Sequence, residues 1–281
     1  MKLYRSKKGI LLHHAGNYYP INESWDLVVN RASLYDFLND LSLKNERISE
    51  EEAMEYLREL LAPIGQQEVW AAGVTYLRSR DARIEESIDS GGSDLYDRVY
   101  DATRPELFFK SLPHRVAGHQ QSLYIRRDSD WNVPEPELTL FINSGGSIQG
   151  YTIGNDMSSR SIEGENALYL PQAKIYERSA ALGPCLYVPS VPLNKEIIIE
   201  MDIIRNGKKL FHDSISVTNM KRSFSELTEF LYRACDFSFG TYLMTGTCLV
   251  PPNEFTLQEH DLVTITIQPI GILSNMIFYK P

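Results

Sequence analysis

The sequence Pro134-Glu135-Pro136-Glu137-Leu138-Thr139-Leu140-Phe141-Ile142 is followed by Ser144-Gly145-Gly146-Ser147 and then by an apolar run that ends in Gly154-Asn155-Asp156. Two strand-like runs on either side of a Gly-Gly pair are typical of a β-hairpin. A turn centred on Gly145-Gly146 pairs Glu137 with Gly154 and Glu135 with Asp156. The pattern therefore predicts a hairpin whose open end carries three carboxylates.

The spacing of these carboxylates indicates that they share one small volume. Glu135 and Glu137 are two residues apart, so on a strand they point to the same face, about 6–7 Å from each other. Asp156 joins them only in the register given above, since a slip of one residue turns its side chain to the opposite face.

Three carboxylates this close repel one another, and a bound cation is the simplest way to offset that repulsion. A ligand set made only of oxygen suits a hard ion such as Mg²⁺, Mn²⁺ or Ca²⁺ and argues against zinc or copper. The alternative interpretation is a solvated edge strand, on which charges and prolines prevent pairing with other chains. The residues alone leave both interpretations open.

Composition excludes several classes of protein. The chain has 281 residues, is 43% hydrophobic and carries a formal net charge of -9, which gives no basic footprint for nucleic acid. The apolar runs, such as residues 196–200, are too short to cross a bilayer, and residues 1–8 lack the apolar region of a signal peptide. Three widely spaced cysteines are typical of reduced thiols. We therefore expect a cytoplasmic protein with no membrane or nucleic-acid partner.

The chain divides into two predicted domains, and the fold class is mainly β (α+β). Residues 1–65 form a small N-terminal accessory domain, with strands near 2–5, 10–13 and 18–21 and helices near 34–43 and after Ser49. Ser49 with Glu52 three residues later forms a capping box. Residues 66–281 form a β-rich catalytic domain, in which Asn206-Gly207 predicts a tight hairpin.

A charged insertion near residues 77–104 interrupts the predicted catalytic domain. Two helical stretches there flank Ser90-Gly91-Gly92-Ser93. Such an insertion is either a solvated decoration or a lid that closes over a site and hinges at its glycines. Position in the sequence does not decide between the two.

An ordered set of short motifs resembles the fumarylacetoacetate hydrolase superfamily over roughly residue 69 to the end. The motifs are Gly73-x-x-Tyr76, Phe108-Phe109-Lys110, Glu135-x-Glu137, Asp156-Met157-Ser158-Ser159-Arg160, Lys174 and Thr245-Gly246-Thr247. The resemblance implies a mixed β-roll catalytic domain, a homodimer or homotetramer, and an Mg²⁺ ion (or Mn²⁺, or Ca²⁺ in crystals) held by Glu135, Glu137 and Asp156. It also implies a 2-oxo acid substrate, contacted by Tyr76, Lys110, Arg160, Gln172, Gly246 and Thr247.

Two further segments indicate a branch of that superfamily. The C–C bond hydrolases carry a His-x-x-Glu pair that activates water, and here those positions fall on Ser79 and Ala82. Residues 100–110 and 168–176 instead resemble the 2-keto-3-deoxy-D-arabinonate dehydratase branch. This resemblance implies that Lys174 and Glu106 transfer the protons. The implied function is an Mg-dependent dehydratase (a lyase) of a 2-keto-3-deoxy sugar acid, with Lys174 as base and Glu106 as acid, or the reverse.

Two alternatives stay open at this point. One is an acylpyruvate-type C–C hydrolase or a decarboxylase, in which His114 or His119 replaces the missing pair. The other is a binding protein that keeps the fold without catalysis. The intact carboxylate set together with Lys174 argues against the second alternative.

Overall fold

The computed structural model describes residues 1–77, 99–194 and 196–281. The predicted lid, with its glycine hinge, therefore lies mostly outside the described residues. Among the residues that are described, no helix combines the length and the apolar composition that crossing a bilayer requires.

A mixed sheet of ten strands forms the centre of the molecule. Nine of the strands follow the order β3-β2-β1-β12-β10-β9-β15-β4-β5, and β6 pairs with β12 beside that path. The strands are β1 Lys2–Ser6, β2 Gly9–His14, β3 Asn17–Ile21, β4 Glu68–Gly73, β5 Glu106–Ser111, β6 Val116–Ala117, β9 Pro136–Ile142, β10 Ile148–Asp156, β12 Ala180–Tyr187 and β15 Thr241–Met244.

A second sheet of five strands has the order β14-β13-β16-β17-β7, and β8 with β11 forms a separate short pair. These strands are β7 Leu123–Ile125, β8 Asn132–Val133, β11 Ser158–Ser159, β13 Ile198–Arg205, β14 Lys208–Ser216, β16 Leu262–Ile267 and β17 Gly271–Tyr279. Asn206 and Gly207 join β13 to β14 with positive φ angles of 51° and 75°, as a type I′ turn requires. The hairpin predicted at this dipeptide is confirmed.

Six α-helices lie wholly within the described residues: α1 Trp25–Val29, α2 Leu34–Lys44, α3 Glu50–Leu57, α4 Arg160–Glu165, α5 Leu170–Lys174 and α6 Phe224–Tyr232. The capping box predicted at Ser49 and Glu52 is present at the start of α3. Because most of the described elements are strands in mixed sheets, the mainly β fold class is confirmed.

Hydrophobic cores lie on both faces of the central sheet. One core joins Leu138 and Leu140 of β9 to side chains of the second sheet, including Met201 and Ile265. The other core joins Phe141 of β9 to the helices of the N-terminal segment. Since side chains alternate along a strand, Glu137 shares the face of Phe141, on the side of those helices.

The N-terminal strands belong to the central sheet, because β1 pairs with β12 in antiparallel register. Residues 1–65 therefore share a sheet and a core with the rest of the chain. The domain boundary between residues 65 and 66 stays a prediction.

The hairpin of β9 and β10 has the register predicted from the sequence. Glu137 pairs with Gly154, and the backbone N–H of Asp156 donates to Glu135 O over 2.9 Å. Nearer the turn the register shifts by one residue between Ile148 and Gly150, which marks Gln149 as a β-bulge. The bulge places Asp156 opposite Glu135, on the face that carries the two glutamates.

Candidate active site

Three buried carboxylates meet at the open end of the β9–β10 hairpin. Glu135, Glu137 and Asp156 are 3%, 1% and 1% exposed. Each offers one ligand oxygen, and these oxygens lie within 4.8 Å of one another. Exposure this low rules out the solvated edge strand as an account of the Glu-x-Glu motif.

The donor set fits a hard divalent cation. Mg²⁺ binds oxygen at about 2.1 Å and Ca²⁺ at about 2.4 Å, so two oxygens on one ion lie up to about 4–5 Å apart. The three ligand oxygens lie within the span of a Ca²⁺ site and close to the shorter span of an Mg²⁺ site, and all of them are carboxylate oxygens. They form the group of acidic side chains suited to a metal ion within the described part of the chain.

Three cationic side chains surround these carboxylates. Lys174 Nζ donates to Glu135 Oε2 over 2.5 Å and to Asp156 Oδ2 over 3.2 Å. The guanidinium of Arg160 donates to Glu135 Oε1 over 2.7 Å, and Lys110 Nζ lies 2.6 Å from Asp156 Oδ1. Because all three cations are buried with the acids, each stabilises a carboxylate that would otherwise be costly to bury.

The carboxyl groups of Glu137 and Asp156 have pKa values that are shifted in opposite directions. Burial raises the pKa of Glu137 well above its usual value, and the neighbouring charges of Asp156 and Glu135 raise it further. Burial also disfavours the ionised form of Asp156, but Lys110 and Lys174 outweigh that effect and lower its pKa. Of these two carboxylates, Glu137 therefore gains more from a bound cation.

Glu137 is held by the loop that follows β15. The backbone N–H of Gly246 donates to Glu137 Oε2 over 2.6 Å. Gly246 has a φ of +97°, and a side chain there would lie 2.0 Å from Thr75 Oγ1, so the position requires glycine. The neighbouring Thr247 instead accepts a hydrogen bond from Leu249 N at its Oγ1.

A small recess opens over the carboxylates. Besides the three acids, it is lined by Ala72, Gly73, Val74, Phe108, Arg160, Lys174, Gly246 and Thr247. Glu106 lies at its rim, since its carboxylate rests directly against Gly73. The recess thus brings together the predicted metal ligands, both predicted proton-handling residues and three of the predicted substrate contacts.

The other predicted substrate contacts lie elsewhere. Lys110 is fully buried, and it donates to the carbonyl oxygens of Met157 and Lys174 behind the carboxylates. Tyr76 is 1% exposed and packs with Met220 and Cys248. Gln172 is exposed on α5, and its carbonyl accepts from Arg126. None of these three lines the recess within the described residues.

Neither candidate histidine lies in the recess. His114 lines a different cavity, together with Arg5 and Leu61. His119 Nδ1 accepts from Ser274 N over 3.2 Å, and the residue lies against Gly183 of β12. This placement removes the support for a hydrolase in which either histidine replaces the missing water-activating pair.

Sequence reasoning did not single out two buried contributors to the site. Glu163 accepts from Ser158 Oγ over 2.6 Å and lies 3.9 Å from Arg160 Nε, so it fixes the guanidinium from behind. Its three-residue spacing from Arg160 on a helix was an available signal. Val74 lines the recess with a φ of 51°, an unusual value for a β-branched residue that no sequence pattern announces.

The arrangement suits proton transfer on a small anionic substrate. Arg160 and Lys174 bring positive charge to the wall of the recess, which favours a carboxylate. The carboxylate of Glu106 at its edge and the amine of Lys174 in its wall are groups able to donate and accept protons.

A family model described as fumarylacetoacetate (FAA) hydrolase C-terminal matches residues 93–278. Among curated proteins, a probable 2-keto-3-deoxyxylonate dehydratase of Haloferax volcanii is 47% identical over 221 residues, which cover 78% of this chain and 75% of that protein. A 2-dehydro-3-deoxy-D-arabinonate dehydratase of Saccharolobus solfataricus is 41% identical over 213 residues, 75% of this chain and 72% of that protein.

Solved structures give the same picture for the whole chain. A 2-keto-3-deoxy-D-arabinonate dehydratase complexed with magnesium and 2,5-dioxopentanoate superposes with a TM-score of 0.86 at 31% identity, covering 100% of this chain and 99% of that one. The small N-terminal segment is therefore part of the shared architecture.

Proposed function

The chain belongs to the fumarylacetoacetate hydrolase family, and on this premise we propose that it is a magnesium-dependent dehydratase of a 2-keto-3-deoxy sugar acid. The observation that carries the proposal is the recess itself, in which a buried carboxylate triad lies against Lys174 while Glu106 lies at the edge, against Gly73. Relatives at 47% and 41% identity that are named as dehydratases of such acids support it.

Glu135, Glu137 and Asp156 would hold the ion. Bound there, it supplies a Lewis acid that acidifies the C3–H bond of a 2-oxo acid. Arg160 lines the same recess and attracts the carboxylate of the substrate. Thr247 and Gly246 form the neighbouring wall and orient it. Contacts from Tyr76, Lys110 and Gln172 to substrate stay predictions from the family resemblance.

Two side chains move the protons in the proposed reaction. Lys174 Nζ lies beside the carboxylates, so in its neutral form it takes a proton from C3 of a substrate bound over them. Glu106, in its acid form, gives a proton to the C4 hydroxyl, which then leaves as water. The C3–H and C4–O bonds break, a C3–C4 double bond forms, and no oxidant or reductant is needed.

A five-carbon substrate leads to a defined product. Loss of water from 2-keto-3-deoxy-arabinonate leaves an unsaturated keto acid with an alcohol at C5. A shift of hydrogen from C5 to C3, followed by ketonisation, converts that alcohol to an aldehyde and gives 2,5-dioxopentanoate. The structure of a relative complexed with magnesium and this compound supports the proposed product.

A coupled assay tests the proposal. We expect the Mg²⁺-loaded protein to convert 2-keto-3-deoxy-arabinonate into an aldehyde that a 2,5-dioxopentanoate dehydrogenase oxidises, with NADPH formation as the readout. Acylpyruvates should release no pyruvate. Pyruvate release from acylpyruvates without any action on deoxy sugar acids would contradict the dehydratase function and favour the hydrolase.

We also propose that the protein is a cytoplasmic homodimer or homotetramer, as the family resemblance implies. Light scattering coupled to size-exclusion chromatography tests the assembly, because one chain has a mass of 32.1 kDa. A mass near 64 or 128 kDa (about two or four chains) is the expected result. A monomeric mass at micromolar concentration would contradict it.

A further inference from the structure

We propose that Gly73 is a positioning residue whose missing side chain creates the seat of the Glu106 carboxylate. The inference rests on the proton-transfer role proposed for Glu106. It adds a residue to the machinery and gives a physical reason for a glycine in the middle of a packed site.

The two residues face each other across neighbouring strands. Gly73 of β4 is the cross-strand partner of Glu106 of β5, so their side-chain positions lie on the same face of the sheet. A Cβ atom on Gly73 would lie 2.0 Å from Glu106 Oε2 and 2.6 Å from its Cδ. The carboxyl group of Glu106 therefore occupies the space that any other residue at position 73 would fill.

Backbone conformation does not explain this glycine. Gly73 is the last residue of β4, and it is not among the glycines with a positive φ. Gly246, by contrast, needs its glycine for a φ of +97°. A glycine in a strand with ordinary backbone angles often marks close approach of another group, and here that group is the Glu106 carboxylate.

The seat on Gly73 also determines the direction of the Glu106 side chain, which extends across β4 toward the carboxylates. Strand β4 lies between β5 and β15, and β15 lies next to β9 with its metal-ligand candidates. Adjacent strands are about 4.8 Å apart, so folding over Gly73 brings the carboxylate about one strand closer to Glu137. Gly73 lines the recess, and the Glu106 carboxylate rests at its edge for this reason.

The clash created by a methyl group falls on the flexible end of a side chain. In Gly73→Ala the backbone of β4 keeps its pairing, while the Glu106 carboxylate swings off its seat. Displacement of a catalytic group by about 1 Å costs up to roughly 100-fold in rate. Function should therefore suffer more than stability.

Gly65→Ala offers a matched control. A Cβ there would lie 2.0 Å from Asp26 Oδ1, which is the same clash between a methyl group and a carboxylate. Neither Gly65 nor Asp26 lines the recess. This variant measures what carboxylate displacement costs in stability alone.

The experiment compares kcat and the Mg²⁺ titration midpoint in four variants: Gly73→Ala, Glu106→Ala, the double variant and Gly65→Ala. We expect Gly73→Ala to lose kcat by roughly tenfold or more with its Mg²⁺ midpoint unchanged. The double variant should be no slower than Glu106→Ala, and Gly65→Ala should keep the wild-type kcat. If Gly73→Ala does not fold, Glu106→Asp, which is too short to reach the seat, should show the same loss of kcat.

Two kinetic results would overturn the inference: wild-type kcat in Gly73→Ala while Glu106→Ala has lost activity, or full additivity in the double variant. A crystal structure of Gly73→Ala tests the seat without any substrate, and an unmoved Glu106 carboxylate would also overturn it. Absence of dehydratase activity in the wild-type protein would instead contradict the proposed function, while a displaced carboxylate in that crystal structure would still support the seat.

Discussion

Lys110 Nζ lies 2.6 Å from Asp156 Oδ1, and the two side chains are 0% and 2% exposed. The same ammonium donates to the carbonyl oxygens of Met157 and Lys174. Burial lowers the pKa of Lys110, and the adjacent Asp156 carboxylate opposes that effect. Lys110 thus links a metal-ligand candidate to the backbone of the proposed base.

Replacing Lys110 by methionine should destabilise the protein strongly. The change removes one partner of a buried ion pair and leaves Asp156 without it, which costs about 3–5 kcal/mol. Urea unfolding without metal measures this loss. Lys44→Met is the control, because Lys44 and Asp40 form an exposed pair at 3.8 Å that should contribute almost nothing. Equal free energies of unfolding for the two variants would show that the buried pair does not contribute to the stability of the protein.

Lys174→Ala should abolish turnover and spare metal binding. Loss of a general base lowers the rate by about 10²–10⁴-fold, whereas the three carboxylates stay in place. Turnover in the coupled assay and the Mg²⁺-induced rise in Tm give the two readouts. Lys209→Ala is the control, since Lys209 pairs with Asp202 on the second sheet. Normal turnover in Lys174→Ala would remove this residue from the mechanism.

Mg²⁺ should stabilise the wild-type protein and should have little effect on Glu137→Gln. Ligand at 100 times its Kd adds about 2.7 kcal/mol to the stability of the state that binds it. The substitution removes one of three ligand charges, so Mg²⁺ gives a smaller rise in Tm. Excess EDTA should reverse the wild-type effect. The control Glu229→Gln changes an exposed residue and should retain the wild-type rise in Tm with Mg²⁺. An equal rise in Tm for Glu137→Gln and wild type would exclude the Glu137 carboxylate as a ligand.

His119 should make the protein less stable in mild acid. Burial lowers the pKa of His119 below its ordinary 6.5, so the unfolded chain takes up this proton first as the pH falls. The stabilisation is complete above pH 6.5 and is lost as the pH drops toward the folded-state pKa. His119→Asn keeps an acceptor for Ser274 N and cannot titrate. The difference in urea midpoint between wild type and variant should therefore change between pH 8 and pH 5. A constant difference would show that titration of His119 does not affect stability in this range.

Local patterns in the sequence were sufficient for the hairpin and for its three carboxylates. The alternation of Glu135 and Glu137 and the Gly-Gly turn determine their faces, because strand geometry has a period of two. Asn206-Gly207 and Ser49 with Glu52 were equally predictable, since each is a short-range interaction of the backbone with its own neighbours.

Long-range relationships were not accessible from local patterns. No local pattern predicts that Lys110 lies against Asp156, because its direction depends on how β5 packs against residues far along the chain. The seat of Glu106 on Gly73 depends on a cross-strand register that no local signal encodes. The union of β1 with β12 is a contact between residues more than 180 positions apart.

The bulge at Gln149 also limits which changes in chain length this hairpin can accept. Gln149 Oε1 accepts a hydrogen bond from Leu34 N at the start of α2, so the extra residue is bonded to a helix of the N-terminal segment. Deletion of Gln149 itself would remove the bulge and keep the pairing. Deletion of one amino acid between Gly150 and Gly154 would instead exchange the two sides of β10 and bring Met157 opposite Glu135 in place of Asp156. Beyond the bulge, a change in the length of β10 must therefore be an even number of residues if an acidic side chain at Asp156 is to stay on the face of Glu135 and Glu137.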